Sequence, residues 1–137
     1  MKAGTINQYR VDRETDLGYM ISDSEGSYFL HHNECDGNYY KSGDFVDAFL
    51  YYDKKRRISA TTVTPTITLD KGGLCEVIDV ATAGVFVNIG ISKDILLSKD
   101  ELEDIQWPKV GDVVCCALRE KGQSLLIRLL KKEEIKS

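Results

Sequence analysis

The residues of this chain best placed to do chemistry are few. Asp53-Lys54-Lys55-Arg56-Arg57 is a cationic run headed by a carboxylate, and it follows Tyr51-Tyr52 directly. His31-His32 sets two imidazoles side by side, and Phe86 is a single ring within an apolar run. Lysine and arginine attract phosphates, and aromatic rings stack on bases, so the run at 53–57 reads as a phosphate-contacting loop. The competing reading is a solvated turn, the usual fate of clustered charge in a hairpin. His31 reads either as a hydrogen-bond donor to a base or phosphate or as a surface histidine. Phe86 reads either as core or as a stacking ring.

Other chemistries find less support. Cys35, Cys75, Cys115 and Cys116 contain no C-x-x-C pair, and His31-His32 lie far from them in sequence, so free thiols of a reducing compartment are expected and no metal or other cofactor. There is no G-x-x-x-x-G-K-[ST] or G-x-S-x-G motif, and the carboxylates are spread over turns, so catalysis is not expected. The net charge of −4 argues against a uniformly basic nucleic-acid binder but allows a local basic groove. Met1-Lys2-Ala3-Gly4-Thr5 lacks the apolar core of a secretion signal, and no run is long enough for a membrane helix, so a cytoplasmic protein without membrane contact is expected.

The elements that must position these residues repeat. Gly73–Leu97 reads as two strands joined by a tight turn, Leu74–Ala81 and Val85–Ile89, followed by a short strand, Asp94–Leu97. Ser98-x-x-Glu101 opens a capped turn over Lys99–Ile105, and Gly111-Asp112 opens a further strand. An offset near 68 maps this unit onto the first half of the chain. Gly4-Thr5-Ile6 falls opposite Gly73-Leu74-Cys75, and Leu17–Ile21 opposite Ala83–Val87. Gly43-Asp44 through Leu50 matches Gly111-Asp112 through Leu118, and Ile58-Ser59-Ala60 falls opposite Ile127-Arg128-Leu129. Five short strands in about 65 residues cover their edges best by closing into a barrel. Two small Greek-key barrels are expected, 1–66 and 67–137, joined by an extended Thr62–Lys71 connector onto which Trp107-Pro108 packs.

With these motifs in place, both halves resemble the S1 RNA-binding domain, an OB-fold barrel. The pattern is G-x-F-V, a Leu-His near the third strand, G-D-x-V-x-A-x-L and R-I-S. Val87–Leu97 together with Trp107–Asp112 resembles more closely the conserved virulence factor B family, the YitL-like proteins of bacteria, in which S1-like domains are strung together. Members of that family typically add a third S1 domain and a winged helix, which nothing after Ile135 can encode, so the resemblance implies part of a longer protein or a short relative.

The resemblance implies a fold that is all-β, two tandem five-stranded OB-fold (S1-like) barrels. It also implies an RNA-binding face built from two rings spaced F-x-x-F, a histidine, and an Asp and Arg spaced D-x-x-x-R. The first half has His31, Asp53 and Arg57 at those places, with Leu17 and Met20 where the rings would stand. The second half has Phe86 but Ala83, Ser98, Lys121 or Gly122, and Leu126 elsewhere. Tyr19, Tyr28, Tyr39 and Tyr40 are candidates to replace the missing ring from a neighbouring strand.

The expected function is non-catalytic binding of single-stranded RNA, weak and largely sequence-independent, in bacterial post-transcriptional or virulence-gene regulation. The expected contacts are Leu17, Met20, His31, Asp53, Lys54, Lys55, Arg56, Arg57 and Phe86. The alternative is a degenerate pair of S1-like barrels serving as a protein–protein interaction or spacer module, with a ribosome, a polymerase or further domains of a longer chain as partner.

Overall fold

The computed structural model describes residues 3–131; Met1-Lys2 and the stretch around Ile135 lie outside the described residues. The chain divides into two compact units between Thr64 and Pro65. Each is a closed five-stranded barrel. In the first unit the strands are β1 (Ile6–Glu14), β2 (Gly18–Asp23), β3 (Gly26–His31), β4 (Phe45–Tyr52) and β5 (Ile58–Thr61), ordered β1-β2-β3-β5-β4 around the barrel. In the second they are β6 (Gly73–Ala81), β7 (Gly84–Asn88), β8 (Ile95–Ser98), β9 (Val113–Lys121) and β10 (Ser124–Leu129), in the same circular order. A parallel pairing closes each barrel, β3 with β5 and β8 with β10, and every other neighbouring pair is antiparallel.

Alternation of the side chains sorts inside from outside. Tyr9, Val11, Tyr19, Ile21, Leu30, Val46, Ala48, Leu50 and Ala60 form the first interior, closed at one end by Cys35. Val77, Val85, Val87, Ile95, Leu97, Cys116, Leu118, Leu125 and Ile127 are the buried counterparts in the second.

Two local devices recur in both units. The first is the Gly-Asp turn. Asp44 Oδ2 accepts from the Lys41 N–H at 2.8 Å, and Asp112 Oδ2 from the Lys109 N–H at 2.9 Å. Gly43 and Gly111 take φ near +95° and +94°, which a side chain disfavours. Each turn then bonds twice to the first strand of its barrel. Gly43 N–H donates to Val11 O and Val11 N–H to Asp44 O, both at 2.7 Å. Gly111 and Asp112 do the same with Val77, at 2.8 Å each.

The second device is a β-bulge immediately afterwards, between Val11 and Arg13 in β1 and between Val77 and Asp79 in β6. In a regular strand Arg13 would share the inward face of Val11. The extra residue turns Arg13 to the outside, opposite Met20.

The registers correct the internal alignment at both ends of the repeat. Tyr9 pairs with Val46 and Cys75 with Val114, so Tyr9 corresponds to Cys75 and Asn7, not Gly4, to Gly73. Leu50 pairs with Ala60 and Leu118 with Ile127, so Ile127 corresponds to Ala60 rather than to Ile58. The residue at the place of Arg57 is therefore Ser124, not Leu126.

The connector is also shared out. Thr62 N–H donates to Glu34 O within the first unit, while Thr66 N–H donates to Ile89 O and Leu118 N–H to Thr68 O within the second. The capped turn is a short 3-10 turn, Lys99–Leu102, in which Ser98 Oγ accepts from the N–H of Asp100 rather than Glu101.

Gly18 and Gly84 lie where the second and third strands of each barrel press together. A Cβ at Gly18 would sit 2.2 Å from Leu30 O, and one at Gly84 would sit 2.0 Å from Leu97 O. Contacts with rigid backbone relax only by moving strands. Gly84→Ala is expected to destabilise the second barrel by about 2 kcal/mol or more, as overpacking does. Trp107 is the single tryptophan, so its fluorescence during urea unfolding reports that barrel. An unchanged midpoint would contradict the packing account.

Candidate nucleic-acid interface

The cationic run forms the β4–β5 hairpin, and its carboxylate is the organiser. Asp53 Oδ1 accepts from the backbone N–H groups of Lys55 at 2.8 Å and Arg57 at 2.9 Å. Its Oδ2 accepts from Arg57 Nε at 3.2 Å. Asp53 N–H donates to Arg57 O, and Arg56 N–H to Asp53 O, which closes the loop. Arg56 sits at φ 62°, a left-handed conformation that an L side chain adopts at some cost. The result is a pinned loop with Lys54, Lys55, Arg56 and Arg57 all exposed. Asp53 orients; the four cations are the surface.

His31 is held at the far end of β3. Its Nδ1 accepts from the Asn33 N–H at 3.0 Å and so caps the 3-10 turn His32–Glu34. A ring nitrogen that accepts leaves the proton of the neutral imidazole on Nε2, so His31 can donate only from that edge. Neighbouring His32 is occupied otherwise, with Nε2 at 2.9 Å from Glu14 Oε2 and its ring edge-on to Tyr19.

Strand parity brings these ends onto one surface. Leu30 points inward and pairs with Ala60, so His31 and Phe29 point outward on β3. The same register sets Arg57, just before β5, level with Ser27. From His31 to that level is four residues along β3, roughly 13 Å at about 3.3 Å per residue. Met20 faces outward on β2 directly opposite Phe29, with Arg13 on its other side. Leu17 is 63% exposed at the turn into β2, and its carbonyl accepts from His32 N–H. Leu17 and His31 therefore share one end of this face, Met20 lies midway along it, and the hairpin cations border the other end.

The ring on this face is Phe29, not a tyrosine. Its centroid lies 6.1 Å from that of His31, with the two planes at 84°. Tyr19 is buried inside the barrel, where Tyr40 packs edge-on against it and donates its N–H to the Tyr19 hydroxyl. Tyr28 points inward against Tyr9, and Tyr39 lies on the exposed loop before β4. Leu17, just before β2, and Met20, within it, stand where the resemblance places the rings, so Phe29 on β3 lies outside the expected contacts. The signal available was the alternation Phe29-Leu30-His31, which puts a ring and a histidine on the same side of one strand.

The equivalent face of the second barrel differs in chemistry. Phe86 is outward and half-buried on β7, paired with Leu96 on β8 and Asp79 on β6; Leu96 in turn pairs with Leu126 on β10. Asp79 stands where the first barrel has Arg13, Ser98 where it has His31, and Lys121 and Ser124 where it has Asp53 and Arg57. Beside the Gly-Asp turn, Trp107, Pro108, Val113 and Val114 line an open groove of about 450 Å³.

The four cysteines are free, and among the described residues no three His, Cys, Asp or Glu side chains gather in a way that could hold a metal. Burial, helped by Glu34, pushes the Cys35 thiol up to about 11. The hydrogen bond between Cys75 and Cys116 lowers the Cys75 thiol against the effect of burial, and together with burial it raises Cys116. No helix of the described residues is long and apolar enough to cross a membrane.

Comparison with known proteins agrees with this architecture. Residues 3–63 match the S1 domain model, and residues 73–130 match the model of the CvfB first S1-like domain. YitL of Bacillus subtilis (strain 168) is 35% identical over 139 residues, 98% of this chain and 46% of the relative. Conserved virulence factor B of Staphylococcus haemolyticus is 27% identical over 97 residues, 69% of this chain and 32% of the relative. A crystal structure of a multidomain protein with nucleic acid binding domains, from Streptococcus pneumoniae, superposes with a TM-score of 0.81 at 29% identity, covering 96% of this chain and 47% of that one. The chain thus spans less than half the length of each of these.

The Asp53 carboxylate has a sign that can be checked. Burial would raise it, but the bonds from the Arg57 and Lys55 N–H groups and from the Arg57 side chain outweigh that and hold it below its ordinary 3.8. A lowered folded value means that its contribution to hairpin order is complete above that ordinary value. It is lost as pH falls through the folded one. In an NMR titration the Lys55 and Arg57 amide protons should shift together with a midpoint below 3.8. Asp53→Asn should abolish that step. A midpoint above 3.8 would contradict the assignment.

Proposed function

This chain belongs to the conserved virulence factor B family, and we propose that it binds single-stranded RNA along the outer face of its first S1-like barrel. One observation carries the reading. His31 and Arg57, 26 residues apart in sequence, stand on the same outer face at the two ends of β3. The Nε2–H of His31 supplies a donor for a base or phosphate oxygen. Lys54, Lys55, Arg56 and Arg57 supply positive charge to phosphates at the other end, despite a net charge of −4 for the whole chain. Met20 and Leu17 add apolar surface between and beside them. The nucleic acid binding domains named for the Streptococcus pneumoniae protein support the same ligand class.

The binding is of modest affinity and largely indifferent to sequence, because its anchors are charges and a broad face rather than a set of base-reading pairs. A role in bacterial RNA-level regulation, in the cytoplasm where RNA is, follows from that ligand. The second barrel supports a different reading. Phe86, Leu96 and Leu126 make its equivalent face apolar, and Asp79 takes the place of a cation, which suits a protein surface better than a polyanion. A pull-down that retains protein partners after nuclease treatment, and loses them in Phe86→Asp, would support that role.

The test of the main reading is fluorescence anisotropy with a labelled uridine-rich oligonucleotide across a salt series. Saturable binding is expected at low salt, with log K falling by about 0.7 per phosphate neutralised for each decade of salt. His31→Ala combined with Arg57→Ala should weaken it at least tenfold. Absence of binding at every salt concentration, or an unchanged curve in the double variant, would defeat the proposal.

A further inference from the structure

We infer that Phe29 is the nucleobase-stacking platform of the first barrel and that Arg13, turned outward by the β1 bulge, is a further phosphate contact. This rests on the RNA-binding reading and adds to it two residues at places where the S1 pattern has neither ring nor cation.

Four observations support it. Phe29 stands midway between the two ends of the face, two residues from His31 and two from the level of Arg57. Each interval is about 6.6 Å at the rise of a strand, a step that one unstacked nucleotide can span. The ring is half-buried on the outer face rather than packed in the core. It lies against Met20, a flexible apolar side chain that can fit itself to a second face of the base.

The histidine supplies the third. With the planes of Phe29 and His31 nearly perpendicular, a base lying flat on Phe29 turns an edge toward His31. His31 meets that edge with a donor, because its Nδ1 is committed to Asn33. Arg13 is the fourth. It is exposed two strands away from Phe29, in line with Met20, where the sugar–phosphate chain of a base on that platform would run. Its neighbour Arg10 approaches Asp12 at 3.5 Å, so the bulge separates one arginine near a carboxylate from one presented on the face.

The tests use the full chain and the same labelled oligonucleotide. Phe29→Ala should weaken binding about 5- to 100-fold, the range measured for loss of one base–aromatic stack. Phe29→Trp should retain wild-type affinity, and its added emission should be quenched as RNA is titrated in. Arg13→Gln should flatten the salt dependence by about 0.7 in slope without altering that quenching. Wild-type affinity in both Phe29→Ala and Arg13→Gln, or unquenched emission from bound Phe29→Trp, would overturn the inference while leaving RNA binding intact. Absence of RNA binding by the wild-type chain would remove the underlying reading instead. Phe29→Trp keeps the question answerable if Phe29→Ala fails to fold.

Discussion

Everything on the candidate face depends on how the first strand is held by the Gly-Asp turn. Val11 directs both of its backbone groups to Gly43 and Asp44, and Ser42 Oγ donates to the carbonyl of Asp12 at 2.8 Å. With Val11 fixed and Asp12 satisfied from outside the ladder, β1 can carry an extra residue without leaving a buried polar group unpaired. The parity of the strand then inverts. Tyr9 and Val11 fill the interior, and Arg13 two residues later lies outside beside Met20. The second barrel repeats the device at Val77, Gly111 and Asp112, which makes it a property of the fold. What the second barrel puts outside is Asp79, so the same backbone presents opposite charge on its two copies.

This separation of scaffold from surface explains how one architecture carries two different outer faces. Most inward positions keep their kind between the barrels, Val11 for Val77, Ile21 for Val87, Leu30 for Leu97 and Leu50 for Leu118, whereas the tyrosines Tyr9 and Tyr19 give way to Cys75 and Val85. The outward positions do not: Arg13, Met20, Phe29 and His31 become Asp79, Phe86, Leu96 and Ser98. Packing constrains only the first set. The second is free of that constraint, and there the two copies diverge.

The sequence was most legible where structure is local. Gly43-Asp44 and Gly111-Asp112 announce their turns because a positive φ and a carboxylate three residues past Lys41 or Lys109 suffice to build them. The alternation of Val46, Ala48 and Leu50 announces a strand with one buried face, and the two barrels follow from the spacing of such signals. The alignment failed at β1, where Gly4 and Gly73 match in type but not in register, and at β5 with β10, where a hairpin one residue shorter shifts the count without marking the sequence. Type and spacing single out His31, Asp53 and Arg57 as candidates, and of these the structure shows Asp53 as the pin of its hairpin. Phe29 is not among them, because its place on the outer face rests on the parity of β3 and on its level relative to Arg57 across a parallel pairing. Such a relation exists only after the barrel closes.

We propose one outer face, β1 to β3 with the β4–β5 hairpin, as the RNA surface. The most direct measurement is a two-dimensional amide NMR titration of the isotopically labelled chain with a short single-stranded oligoribonucleotide at low salt. Shifts are expected to concentrate at Arg13, Met20, Phe29, His31 and Lys54–Arg57 and to be reversed by added salt, with the interior strand positions unmoved. Shifts confined to the second barrel, or none at saturating oligonucleotide, would contradict the proposal.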